Sequence, residues 1–258
     1  MKVTVCQIDP REDFLDACLQ NLIEHLLEQK SDFLLLPEMS FSAWLAADSK
    51  PSAERWNNSI QEHNRHIGKL LEYGVASVLG TRPINNETGS RRNQAYIWNR
   101  ESNKVAGFHE KHYLPNENGY WEDNWYDRGP KSFDVARAAD ATVGVQICTE
   151  MWFFEWARHY AASGVDILCV PRATPHGSTG KWLIGGQTAS VCCGAYCLSS
   201  NLWCPADGNQ DLGGLAWVVD PEGNILAQTD SHKPFATVEI DLEFSKLSKS
   251  TYPRYVAD

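Results

Sequence analysis

Apolar positions along this chain switch repeatedly between two rhythms. Val3 to Ile8 alternates with the two-residue period of a strand. From Glu12 to Gln29, the residues Phe14, Leu15, Cys18, Leu19, Leu22, Ile23, Leu26 and Leu27 recur at three- and four-residue steps, which predicts a helix with one buried face. Asp32 to Leu36 predicts a strand, apolar at its centre as expected of one covered on both faces. Helical spacing returns from Pro51 to Tyr73, and Val75 to Gly80 predicts another strand. After a polar turn at Asn85 to Arg92, the strands Asn93 to Asn99 and Lys104 to His109 form a hairpin around Arg100-Glu101-Ser102-Asn103. A long irregular segment, Glu110 to Lys131, follows. Loops of this length inside a compact domain are often functional.

The second half repeats the alternation. Ser132 to Ala136 and Ala141 to Ile147 predict strands, Trp152 to Ala162 a helix, and Val165 to Pro171 a strand. Gly180 to Tyr196 has helical character weakened by Gly185, Gly186 and Gly194. Strands are expected at Cys197 to Cys204, Leu215 to Asp220, Ile225 to Thr229 and Ala236 to Ile240, with a turn at Pro221-Glu222-Gly223-Asn224. A short helix from Leu242 to Leu247 precedes a polar tail to Asp258. Strands and helices alternating twice over, with hairpins between, fit an α/β fold of two sheets with helices outside better than one doubly wound sheet.

Composition narrows the function. The net charge of -10 argues against binding nucleic acid through its phosphates. No apolar run is long enough to span a membrane, and the N-terminus begins directly with a strand, so a cytoplasmic protein is expected. Neither a G-x-G-x-x-G nor a P-loop pattern occurs, so no nucleotide cofactor is indicated. The eight cysteines, expected to be reduced, show no C-x-x-C spacing, and Cys192, Cys193, Cys197 and Cys204 read as small core residues. His109 and His112 form no ligand set, so no metal is expected.

The chemistry concentrates at strand ends. The apolar run Val143 to Ile147 ends at Cys148, with a helical stretch shortly after. A cysteine there is either one more buried apolar residue or a nucleophile whose thiolate a helix N-terminus favours. Glu38 stands just past the strand ending at Leu36, as a solvated loop residue or a buried catalytic group. Lys111 opens the long irregular segment, which also holds Glu122. A carboxylate, a cation and a thiol at strand ends make a set suited to covalent acyl transfer.

Those residues lie in Leu34-Leu35-Leu36-Pro37-Glu38, Glu110-Lys111-His112-Tyr113-Leu114-Pro115 and Gly144-Val145-Gln146-Ile147-Cys148-Thr149-Glu150. With Gly119-Tyr120-Trp121-Glu122, they resemble the nitrilase superfamily of carbon–nitrogen hydrolases from Val3 to about Ile240. The resemblance implies one domain over residues 1–258, built as a four-layer α-β-β-α sandwich of two mixed sheets. It implies Cys148 as nucleophile, Glu38 as general base, Lys111 with the N–H of Thr149 as oxyanion holder, and Glu122 as the residue that orients Lys111 or the substrate. The substrate would be a small amide or ureido compound, and the assembly a homodimer or higher homo-oligomer. Candidate pocket residues are Trp44, Tyr113, Trp121, Trp152, Arg172, Thr174, His176 and Trp182. Arg172 could receive a substrate carboxylate or sit in a surface ion pair, and Glu150 is expected to pair with an arginine such as Arg158. Arg172 to Lys181 departs from better-known members, which leaves substrate identity open. A nitrile-hydrolysing enzyme, a non-catalytic scaffold of the same fold and a redox-sensing protein are the competing readings. Thr149 after the cysteine, where nitrilases carry Trp, favours the amide.

Overall fold

The computed structural model describes residues 1–206 and 210–256, so the very end of the polar tail lies outside the described residues. Among the described residues, twelve strands form two halves that share the first strand. In the first, β1 (Lys2–Ile8), β2 (Phe33–Leu35) and β3 (Ser77–Asn85) run parallel. They are flanked by the antiparallel strands β4 (Arg91–Asn99) and β5 (Lys104–Glu110). The second half has β6 (Ala136–Ala138), then the parallel strands β7 (Ala141–Val145), β8 (Ile167–Arg172) and β9 (Tyr196–Leu202). The antiparallel β10 (Trp217–Val219) and β11 (Ile225–Gln228) complete it. Strand β12 (Phe235–Glu239) returns to pair with Lys2 to Cys6 of β1, while Gln7 and Ile8 pair with β9. Strand β1 thus passes from one sheet into the other.

The two-residue period of the strands sorts side chains between layers. Val3, Val5, Phe33, Leu35, Leu79 and Ile97 of the first sheet share one buried cluster with Val143, Val145, Ile167 and Leu168 of the second. Their neighbours Cys6, Ile8, Leu34, Leu36 and Val78 face the other way, onto Leu15, Leu19, Leu22 and Leu26 of α1 (Glu12–Gln29). Helix α2 (Ala53–Ile67) covers the same side, started by Ser52, whose Oγ accepts the Arg55 N–H at 3.2 Å. A four-residue helix α3 (Glu122–Trp125) sits in the long loop. Helices α4 (Phe154–Ala162) and α5 (Thr179–Cys193) cover the second sheet, and α6 (Leu242–Ser248) ends the fold. These are the expected two mixed sheets with helices outside.

Some boundaries differ from those expected. The helical stretch to Tyr73 breaks at Gly68, leaving Leu70–Tyr73 as a separate 3-10 turn. The stripe on α1 is narrower than its pattern suggests, because Phe14 and Leu27 are about half exposed. The strand expected from Ser132 begins only at Ala136.

The glycines of α5 have a packing reason that propensity alone hides. A Cβ on Gly185 would come within 2.9 Å of Trp152, and one on Gly186 within 2.7 Å of the Trp217 indole. Gly194 caps the helix in the left-handed region at φ 63°. Gly186→Ala should therefore destabilise the protein by about 1–3 kcal/mol in urea unfolding, although alanine is the better helix former. Equal or greater stability would show that this helix–sheet approach is looser than described.

Candidate active site

Three strands deliver their chain ends to one place. Past β2, Pro37 leaves the ladder, and the Glu38 N–H donates to the carbonyl of Arg172, the last residue of β8, at 3.3 Å. Lys111 directly follows β5, and its N–H donates to the Asn93 carbonyl on β4 at 2.9 Å. Cys148 comes three residues after β7 and takes a left-handed backbone, φ 50°. That conformation is costly for a residue with a Cβ and recurs at functional turns.

The centre of the site is the Lys111 ammonium. It donates to Glu38 Oε1 at 2.7 Å and to Glu122 Oε2 at 2.5 Å, and all three side chains are fully buried. Asn93 Nδ2 adds a second donor to Glu38 Oε1 at 2.8 Å, and the Tyr126 hydroxyl donates to Glu122 Oε2. Glu38 Oε2 and Glu122 Oε1 are left buried without a partner. Burial works against the lysine's charge, but Glu122 and Glu38 outweigh it and raise its pKa. Burial lifts Glu122 to about 8 against the pull of Lys111, so at neutral pH it is largely the neutral acid. Since Oε2 already accepts from Lys111 and Tyr126, the proton belongs on Oε1.

Cys148 is held as a thiol. Burial first, then the carboxylate of Glu38, raises its pKa, with Lys111 opposing. The helix-dipole stabilisation expected from the sequence is absent in that form. The residues after Cys148 make a five-residue 3-10 turn, Cys148–Trp152, and α4 starts only at Phe154. No helix terminus therefore favours a thiolate at Cys148.

Glu150 does not pair with Arg158. Its Oε2 accepts from the Ile147 N–H at 2.8 Å and lies 2.7 Å from His109 Nε2, and its Oε1 accepts from the His112 N–H at 2.7 Å. The carboxylate thus clips the residue before Cys148 to the residue after Lys111. Burial opposes protonation of His109, but the Glu150 charge prevails and raises its pKa.

Cys148 and Glu122 open on a cavity of about 420 Å³ whose wall includes Tyr120, Thr149, Trp152, Thr174, Lys181 and Trp182. That volume suits a small molecule. Tyr113, Trp121 and Arg172 do not line it. Tyr113 stacks on Phe153 at 3.6 Å and accepts from Trp156 Nε1. Trp121 starts α3, its N–H bound to the Ala46 carbonyl. Arg172 is fully buried, which removes the surface ion pair: its guanidinium donates to Ser199 Oγ, Thr174 Oγ1 and the Leu215 carbonyl and lies 4.0 Å from the Trp217 ring centroid. Trp44 is core, and His176 pairs with Asp211. Sequence reasoning missed Asn93, Tyr126 and Lys181, since an asparagine in a strand and a tyrosine in a polar loop carry no spacing signal. A larger groove of about 620 Å³ near Asp16, Phe41 and Arg65 contains neither cysteine nor lysine. Among the described residues no group of His, Cys, Asp or Glu is arranged to hold a metal ion, and no helix is long and apolar enough to cross a membrane.

Comparison with known proteins gives the family and the fold. The family model described as carbon–nitrogen hydrolase matches residues 2–249. The chain is 24% identical over 251 residues to a glutamine-dependent NAD(+) synthetase of Rhodobacter capsulatus, covering 94% of this chain but 43% of that protein. It therefore spans less than half the length of that relative. It is also 24% identical over 247 residues to a 2-oxoglutaramate amidase of Bacillus subtilis, covering 89% and 87% of the two chains. A solved carbon–nitrogen hydrolase from Helicobacter pylori G27 superposes with a TM-score of 0.87 at 19% identity, over 99% of this chain and 94% of the other.

Lys111→Met strands the buried Glu38 carboxylate and removes the donor to Glu122, and should lower the unfolding free energy by about 3–5 kcal/mol. Adding Glu38→Gln should recover part of that loss. Urea denaturation at pH 7 checks both; an undiminished stability of Lys111→Met would contradict the buried pairing.

Proposed function

This chain belongs to the carbon–nitrogen hydrolase family, and from that premise we propose that it hydrolyses an amide or ureido bond of a small molecule through a thioester on Cys148. The observation that carries the reading is the clustering of Glu38, Lys111 and Glu122 beside Cys148, with Cys148 and Glu122 on the cavity wall and Glu38 and Lys111 buried behind them.

The chemistry follows from the protonation states. Cys148 starts as a thiol, so attack on the carbonyl carbon needs a base. Glu38, with Oε2 unpartnered, takes the proton. The oxyanion of the tetrahedral intermediate is held by Lys111 Nζ and the Thr149 N–H, which has no hydrogen-bond acceptor among the described residues. As that intermediate collapses, the nitrogen leaves as ammonia or amine with the proton that Glu38 returns. A water, deprotonated by Glu38, then attacks the thioester and releases the acid product and the thiol. Glu122 holds Lys111 in place, and its Oε1 proton is available for hydrogen bonding to the substrate. These side chains supply nucleophile, base and oxyanion cation.

An amide is favoured over a nitrile by Thr149 after the nucleophile and by the amidase named among the relatives. Ammonia release from a panel of amides, ureido compounds and nitriles tests the reading. Cys148→Ala, Glu38→Gln and Lys111→Met should each lose about 10³-fold or more in turnover. Nitrile-only turnover, or full activity in Cys148→Ala, would overturn it. Because Glu122 titrates at about 8, kcat/KM should fall as pH rises through that value. Glu122→Gln should lack that limb, and a limb that persists in this variant would assign it to another group.

A further inference from the structure

Thr174 lies just past β8, 2% exposed, on the wall of the Cys148 cavity. A hydroxyl has one proton to give and two lone pairs to receive with. Here both lone pairs are taken, by Arg172 Nη1 at 2.8 Å and Asn201 Nδ2 at 3.0 Å. Neither partner can reverse its role. A guanidinium has no acceptor atom. The Asn201 amide is oriented from both sides, its Oδ1 accepting the Thr174 N–H at 3.0 Å and its Nδ2 donating to the Gly214 carbonyl at 2.7 Å. The Thr174 carbonyl is also fixed, accepting the Gly213 N–H at 2.7 Å. Only the hydroxyl proton is left, and among the described residues it has no acceptor. The surrounding polar network makes Thr174 an obligate donor at the cavity wall.

Charge indicates what it donates to. Lys181, exposed in the first turn of α5, lines the same cavity and has no ion pair among the described residues; its ammonium lies 5.7 Å from the Trp152 ring centroid. Behind Thr174, Arg172 is buried against neutral acceptors only, without a carboxylate to balance it. Burial lowers its pKa to about 9, which leaves it cationic at neutral pH. The acidic residues on the wall do not offset this. Glu122 is spoken for by Lys111, and the exposed Glu117 at most offsets the equally exposed Lys181, which leaves the buried Arg172 charge unbalanced.

We propose that the Thr174 hydroxyl and the Lys181 ammonium form a subsite for a carboxylate on the substrate, which is then an amide or ureido compound bearing an acid group away from the scissile bond. The proposal deepens the hydrolase reading of Cys148 and rests on it for the position of the scissile bond. Thr174 is the specificity-determining donor, with Arg172 and Asn201 as the residues that position it.

The test compares malonamate, succinamate and glutaramate with propionamide, butyramide and valeramide, which replace the carboxylate by methyl. The wild type should favour the best acid over its neutral partner by about tenfold or more in kcat/KM. Thr174→Val and Lys181→Met should each erase most of that ratio, and Thr174→Ser should restore it. A wild-type ratio near one, or an unchanged ratio in Thr174→Val, overturns the subsite. Since Thr174→Val also strips an acceptor from Arg172 and Asn201, the exposed Lys181→Met carries the test if that variant fails to fold. Binding is read independently of turnover, as protection of Cys148 from iodoacetamide by succinate or glutarate. Protection in the wild type that both variants lose, without turnover of any amide, supports the subsite and removes the hydrolase reading. No protection together with no acid preference overturns the subsite.

Discussion

A lysine ammonium with no exposure to water must be neutralised by its neighbours, and the rest of this site is arranged around that need. Glu38 and Glu122 flank Lys111 at 2.7 and 2.5 Å, and Asn93 and Tyr126 hold the two carboxylates in turn. The three ionisable groups come from three different parts of the chain: the end of β2, the end of β5 and the loop helix α3. A full complement of charge would leave one net negative charge in the protein interior. The displacement of Glu122 toward its neutral form removes it and leaves one ion pair plus one acid.

The fold keeps this cluster in register with the cysteine. Strand β1 belongs to both sheets, and the Glu38 N–H reaches across to the Arg172 carbonyl at the end of β8. Glu150 makes the second tie, joining the backbone beside Lys111 to the backbone beside Cys148 through one buried carboxylate. The left-handed turn at Cys148 is sustained by these contacts rather than by local preference. Cys148, Glu38 and Lys111 therefore belong to one set of strand ends, while the cavity wall from Thr174 to Trp182 comes from a separate loop and the start of α5. In the proposed reaction, chemistry and selectivity fall to different elements.

Much of this was legible in the sequence because strand ends announce themselves. Apolar runs stopping at Pro37-Glu38 and at Cys148, and a lysine opening a long loop, needed only the period of the strands to be located. The supporting residues were not legible, because Asn93 sits in an ordinary alternating strand and its partner Glu38 is 55 positions away. Arg172 illustrates the limit from the other side. As a strand-end arginine it was read as a carboxylate receptor or a surface ion pair, whereas the glycines of α5 let Trp217 pack close and bury the guanidinium behind Thr174. The helix terminus expected at Cys148 is a single 3-10 turn, and burial and the nearby carboxylates keep the sulfur protonated.

The central claim is that Cys148, and none of the other seven cysteines, forms the covalent link. Intact-mass spectrometry of protein acid-quenched during turnover of a simple amide, followed by peptide mapping, tests it most directly. The account predicts an acyl adduct confined to the peptide carrying Cys148, accumulating further when Glu38→Gln slows hydrolysis of the thioester. Ammonia release with no adduct at any time, or an adduct on a different cysteine, would contradict it.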